Sequence, residues 1–271
     1  MFKVDKLNIK TIGNIIYEDS ASFSGIVSGE CKGDIWVDDV EVPSIALVYS
    51  FAVGGFSILG KPRFTEVYSK FKKFILENML NELKSKDFKD FEFGIESEEA
   101  KSHILEIFNE KVIETAEEYV FQKNEKYNET ITIPEGYKIL KVDYSLLEKL
   151  KDGVYENQEI ITERLLESWG SYEDFLKKSM AFVAVNKNRI VAVIIGTAKF
   201  KNIIPVDIET EDIHRKKGLA LALTNLLVNE CIDNGLIVQW NCMDYNIASR
   251  RTAEKAGFQF LKTNTIYWFE I

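Results

Sequence analysis

Arg215-Lys216-Lys217-Gly218-Leu219-Ala220 is the stretch of this 271-residue chain whose residue types could hold a polyanion. Three cations and one glycine precede an apolar run with helical spacing: Leu219, Leu223, Leu226 and Leu227, with Ala220 and Ala222 between them. The first N–H groups of a helix have no intrahelical partner and lie at the positive end of its macrodipole, so a phosphate can dock on them. Gly218 lets a ligand approach the backbone because it carries no Cβ. Just upstream, Val206-Asp207-Ile208-Glu209-Thr210 alternates apolar and polar residues, as a half-buried strand does, with Asp207 and Glu209 on one face.

The elements that must position this turn follow in order. Asn234-Gly235 stops the long helix. Leu236 to Cys242 predicts a buried strand, Asn246 to Gly257 a short helix, and Phe258 to Ile271 a strand or hairpin. Upstream, Tyr137 to Val142 predicts a strand. Leu146–Leu150, Ile160–Trp169 and Tyr172–Lys178 predict helices. Ala181–Val185 and Ile190–Thr197 predict a hairpin turning at Asn186-Lys187-Asn188, with Asn188 as the residue of positive φ.

Two segments resemble the GNAT superfamily of acyl-CoA-dependent N-acetyltransferases. Arg215 to Ala220 is similar to its Arg/Gln-x-x-Gly-x-Gly/Ala motif. Asn246-Ile247-Ala248-Ser249, followed by Ala253-Glu254-Lys255-Ala256-Gly257-Phe258, is similar to a second family segment in the same order and spacing. The resemblance covers about residues 137–271. Gly33-Asp34-Ile35-Trp36-Val37-Asp38-Asp39, Pro43 and the 253–255 run look like a bacterial two-part GNAT group with a long N-terminal extension. Some members of that group are linked to self-resistance against an aminopolyol antibiotic.

The resemblance implies an α/β (α+β) fold in the C-terminal half, with a mixed, mostly antiparallel sheet flanked by helices. It implies acetyl-CoA as cosubstrate and no metal. Carried over, the donor-binding residues are Ile208, Thr210, Ile213, Arg215, Lys216, Lys217, Gly218, Leu219, Ala220, Asn246 and Ser249. Glu209 is the expected base for the amine, against the alternative of a solvated or ion-paired strand residue. Many relatives place a tyrosine seven positions after the Asn246 equivalent, as acid for the departing thiolate. Ala253 stands there in this chain, which leaves Ser249 or water for that role. Asn246 would also serve as a plain helix N-cap. His214, before Arg215, is expected to be structural. Trp169, Tyr172 and Phe175 fall in the segment that walls the acceptor site, where core packing is equally open.

Composition bounds the partners. Hydrophobic residues make up 46% and charged residues 28%, as in a soluble globular chain. A net charge of −9 disfavours nucleic acid and anionic membranes. No apolar run has transmembrane length, and Met1 to Lys6 lacks the apolar core of a signal peptide, so a cytoplasmic protein is expected. Cys31, Cys231 and Cys242 are an odd number without C-x-x-C, which speaks against a disulfide scaffold or structural zinc. The basic turn and Arg250-Arg251 are local reversals of the acidic balance.

A boundary is expected near 124–137, giving residues 1–130 and 131–271 as two parts. In the first, Asp34–Asp38, Ile45–Tyr49, Phe56–Leu59, Phe91–Ile95 and Glu117–Gln122 read as strands. Thr65 and Ser97 are expected to cap helices. This order mirrors the C-terminal half, so residues 1–130 are expected to be a degenerate GNAT-like copy, against the alternative of a family-specific cap of another fold. Gly60-Lys61-Pro62-Arg63 stands where the phosphate turn belongs, and Pro62 removes a donor there. The expected activity is acetyl transfer to a primary amine of a small molecule, by a monomer or homodimer. A non-catalytic acyl-CoA-binding or regulatory module is the alternative. A dinucleotide enzyme is disfavoured because G-x-G-x-x-G is missing.

Overall fold

The computed structural model describes every residue, Met1–Ile271. The chain divides into two compact units: Met1–Glu118 with Thr263–Ile271, and Tyr119–Lys262.

The first unit opens with β1 (Phe2–Val4), a 3-10 turn (Ile12–Ile15) and α1 (Ala21–Val27). The strands β2 (Gly33–Val37), β3 (Ile45–Ser50) and β4 (Gly55–Gly60) form an antiparallel meander, and β1 pairs antiparallel with β2. A long helical segment follows: α2 (Thr65–Lys73), a π-helical stretch (Phe74–Met79) and α3 (Leu80–Ser85). Thr65 is the first helical residue, and the N-cap is Phe64, which has no side-chain oxygen to cap with. Next come β5 (Asp90–Ile95), α4 (Glu98–Ile107) and the start of β6 (Glu114–Lys123). Ser97 does cap α4, accepting from the Ala100 N–H.

The second unit holds β7 (Tyr137–Lys141), α5 (Tyr144–Lys151), α6 (Glu159–Trp169) and α7 (Tyr172–Lys178). These precede the meander β8 (Ala181–Asn186), β9 (Arg189–Gly196) and β10 (Ile203–Thr210). Then come α8 (Leu219–Asp233), β11 (Ile237–Met243), α9 (Ile247–Lys255) and β12 (Gln259–Glu270). The element order of the two halves is therefore the same: a strand, helical turns, a three-stranded meander, helix, strand, helix, strand. In each, the meander's last strand pairs parallel with the strand after the helix, β4 with β5 and β10 with β11.

The tail forms one twelve-residue strand rather than a hairpin. Its C-terminal part pairs antiparallel with β5, from Ile266↔Gly94 to Glu270↔Asp90. Tyr267 and Phe269 are buried with Phe91, Phe93 and Phe108, so residues 263–271 belong to the first unit's core. A linear division at residue 130 cannot express this: the units change over inside β6 and β12. Burying two large aromatic side chains outweighs chain order, at about 1.5–3 kcal/mol for a fully buried Phe.

Three local details differ from the sequence expectation. The β8–β9 turn puts Lys187, not Asn188, at positive φ. The strand before the basic turn starts at Ile203 and runs through Pro205, whose carbonyl accepts from the Thr197 N–H at 2.9 Å. The first unit also begins with β1, the 3-10 turn and α1, which no motif announced. Cys231 and Cys242 are buried, and burial pushes the Cys231 thiol up to about 12, out of range of neutral-pH chemistry.

Candidate active site

The second unit's site is built where β10 leaves β11. Their parallel ladder runs from Ile203↔Ile237 to Val206↔Trp240 and ends there, while β10 continues to Thr210 paired only with β9. Alternation decides which backbone groups are left open. The Pro205 carbonyl and the Glu211 N–H both bond toward β9, to Thr197 and Val191. Odd-numbered residues of β10 therefore face β9, and Ile208 and Thr210 turn their backbone groups to the open side. The Thr210 carbonyl accepts from Arg215 Nε at 3.0 Å. Thr210 Oγ1 is buried without a hydrogen-bond partner.

The turn between β10 and α8 is braced at both ends. A short 3-10 helix spans Asp212–His214, with Ile213 77% exposed. Glu211 accepts from Arg189 Nη2 at 2.5 Å and from Asn157 Nδ2 at 3.1 Å. The Arg189 hydrogen bond holds the Glu211 carboxyl below the usual carboxylate range, against the opposing effect of partial burial. His214 Nδ1 lies 2.8 Å from the Tyr137 hydroxyl, and Lys217 Nζ donates to that hydroxyl at 3.1 Å. His214 is thus a bracing residue, as expected. Arg215 also pairs with Asp212 at 2.9 Å.

Lys216 (φ 60) and Gly218 (φ 88) are both left-handed. For a lysine this conformation costs about 1–3 kcal/mol, and such strain clusters at ligand clamps. Gly218 is the N-cap of α8 and offers no side-chain cap, so the first N–H groups of the helix gain no side-chain acceptor from that position. A Cβ added to Gly218 would meet only Pro134 Cγ at 3.9 Å, so the space before the helix is open. Leu219 is buried and seats the helix in the core cluster with Leu223 and Leu227, leaving the turn to face outward.

Opposite β10, the first turn of α9 flanks the opening. Asn246 Oδ1 accepts from the Ser249 N–H at 3.1 Å, so Asn246 is the helix N-cap. Trp240, on the last paired rung, donates its indole N–H to Ser249 Oγ at 2.9 Å. The structure thus groups Ile208, Thr210, Ile213 and Arg215–Ala220 on the β10–α8 side, and Asn246 and Ser249 on the β11–α9 side. Lys217 is drawn to Tyr137. Ala253 is fully buried beside Trp240 and Phe258 in the core. Trp169 and Phe175 are buried too, and the Trp169 indole donates to the Gly196 carbonyl at 2.9 Å, so both pack the core.

Asp207 and Glu209 share a face of β10, and both are ion-paired. Arg164 of α6 donates from Nε to Asp207 Oδ2 at 2.8 Å and from Nη2 to Glu209 Oε2. Burial disfavours the guanidinium's charge, but the two carboxylates more than compensate and hold its pKa above the ordinary value. Sequence motifs did not single out Arg164. Its signal was a cation at position 164 on a stripe of Ile160, Ile161, Leu165 and Ser168, all buried.

The first unit lacks these features at the matching place. The β4–β5 ladder stays paired through Ile58↔Ile95, the last residue of β5, and the Glu96 N–H continues it to the Ile58 carbonyl at 3.0 Å. No opening forms. A Cβ on Gly60 would sit 2.3 Å from the Ser44 carbonyl oxygen, so Gly60 itself is packed, while Lys61 and Arg63 after it line a cavity of about 350 Å³.

The GNAT acetyltransferase family model matches residues 15–267. The uncharacterized N-acetyltransferase YdfB of Bacillus subtilis (strain 168) is 26% identical over 145 residues, 52% of either chain, so the match spans about half the length of that relative. A GCN5-related N-acetyltransferase-like protein from Streptococcus suis 89/1591 superposes with a TM-score of 0.61 at 22% identity, over 88% of each chain. A tandem GNAT protein from the clavulanic acid biosynthesis pathway gives 0.56 at 9% identity, over 89% of this chain and 83% of its own. At these identities the two solved structures show the fold alone. The family match takes in nearly the whole chain, both units included, and the protein belongs to the GNAT acetyltransferase family.

Proposed function

We propose that this protein moves an acetyl group from acetyl-CoA to a primary amine of a small molecule, and that the second unit does so. The observation that carries the proposal is the opening of β10 from β11 after Val206↔Trp240, on the strand that leads into the open Gly218 turn. When bound, acetyl-CoA supplies an activated thioester. The open backbone N–H groups of Ile208 and Thr210 suit the amides of its pantetheine arm, and the orphaned Thr210 hydroxyl offers a further contact. The N–H groups at the start of α8, from Leu219 and Ala220, suit the pyrophosphate, with Arg215, Lys216 and Lys217 supplying positive charge and Ile213 an exposed apolar contact.

Glu209 and Asp207 each keep one carboxylate oxygen free to take the amine's proton, directly or through water. Ser249 Oγ accepts from Trp240 and retains its own proton to give to the departing thiolate. The Asn246 side-chain amide keeps its N–H groups for the arm. The first unit, Met1–Glu118 with Thr263–Ile271, is read as a degenerate copy that does not bind the donor, and the second, Tyr119–Lys262, as the transferase part. An aminopolyol, an amino sugar, a polyamine or a peptide N-terminus all present such an amine.

Free thiol released from acetyl-CoA in the presence of this amine panel tests the proposal. At least one amine should raise thiol release well above the amine-free rate, and Glu209→Gln should lower that rate by about 10²–10⁴-fold. The buried Ala253 and the Arg164-paired Glu209 favour a second reading, a non-catalytic acyl-CoA-binding module. That reading predicts a thermal shift with coenzyme A and no amine-dependent thiol.

A further inference from the structure

Arg164 is placed as a counter-charge lying beneath the two carboxylates of β10. Its side chain is 27% exposed, against 47% for Asp207 and 43% for Glu209. Its third bond, from Nη1 to the Ile160 carbonyl at 2.8 Å, ties the guanidinium to its own helix. All three donor nitrogens are engaged with the protein, so the group is locked. Asp207 Oδ1 and Glu209 Oε1 accept from no protein donor, and their side chains are the exposed members of the triad. Two carboxylates and one guanidinium leave one net negative charge on this patch of β10.

We propose that Arg164 sets the acceptor site to a single net negative charge, so that it is matched by one ammonium group and offers no counter-charge to a second adjacent cation. The inference rests on the reading that an amine meets this face of β10. Without Arg164 the same face would carry two unopposed carboxylates two residues apart, and a dication would be favoured. Arg164 is therefore a specificity and positioning residue rather than a catalytic one. It acts through the carboxylates that meet the amine.

The test is the affinity ratio of 1,4-diaminobutane to butylamine, measured by NMR titration at low ionic strength on the full chain. Wild type, Arg164→Gln and Arg164→Lys are compared. One added negative charge about 5 Å from the second ammonium, in a water-like dielectric, should raise the ratio about fourfold in Arg164→Gln. Arg164→Lys keeps the charge and should keep the wild-type ratio. A ratio unchanged in Arg164→Gln overturns the inference, as does a wild type that binds neither amine at millimolar concentration. Loss of packing alone would weaken both amines together and leave the ratio in place. If Arg164→Gln does not fold by circular dichroism, Asp207→Asn should lower the ratio about fourfold, and an unchanged ratio there is equally fatal.

Thiol release measured on the same samples with acetyl-CoA separates the two claims. A shifted ratio with no thiol release from any amine of the panel upholds Arg164 and ends the transferase reading. Thiol release with an unshifted ratio does the reverse.

Discussion

Ala253 stands where the family resemblance leads one to expect a tyrosine, and the structure shows why the position matters beyond the missing hydroxyl. It is fully buried beside Trp240 and Phe258, so this face of α9 is committed to the core. Ala253→Tyr should not create an acid. It should overpack the core and cost about 1–3 kcal/mol, read as a lower urea midpoint, with no gain in thiol release. A gain in release at unchanged stability would show that position 253 opens to the site. At this scale the sequence was partly legible. Gly218 and the basic residues announced themselves by type, and Asn246 by its fit to a cap. Arg164 did not, because an arginine within a helix pattern ordinarily reads as a solvated residue. Its role appears only when α6 is laid against β10. Glu209 could be named from its strand face and an ion pair weighed for it, but its partner Arg164 could not be.

The β10–α8 connection is the element on which the site depends, and it is held by side chains from other strands. Glu211 is fixed by Arg189 of β9 and by Asn157, and His214 by Tyr137 of β7. The Glu211 pKa is lowered in the fold, so its contribution to stability is present above the ordinary glutamate value of about 4.3 and is lost as pH falls through the folded value. Wild type should therefore exceed Arg189→Gln in denaturant midpoint at pH 6–7, and the gap should close as pH falls below the ordinary glutamate value. A gap independent of pH would mean that Arg189 acts by packing rather than by its charge. Most strands and helices of both halves were readable from period alone. The ladder end at Val206↔Trp240 was not, because pairing register depends on a partner 34 residues away. The exchange of β12 into the first unit escaped for the same reason: Tyr267 and Phe269 read as strand residues with any partner.

For the whole molecule, two halves of one element order carry unequal sites. The second has a strand pair that parts four residues before β10 ends and an open turn at Gly218, and the first has a pair that holds to within two residues of the end of β4 and a packed Gly60. No helix is long and apolar enough to cross a membrane. The central claim is that the donor is held by the 215–220 turn of the second unit and not by the 60–63 turn of the first. Isothermal titration of coenzyme A into the full chain tests it most directly. Arg215→Glu and Gly218→Asp should each weaken binding at least about tenfold, or 1.4 kcal/mol, while Arg63→Glu should leave it as in wild type. Unchanged affinity in the first two variants, or a comparable loss in Arg63→Glu, would contradict the account.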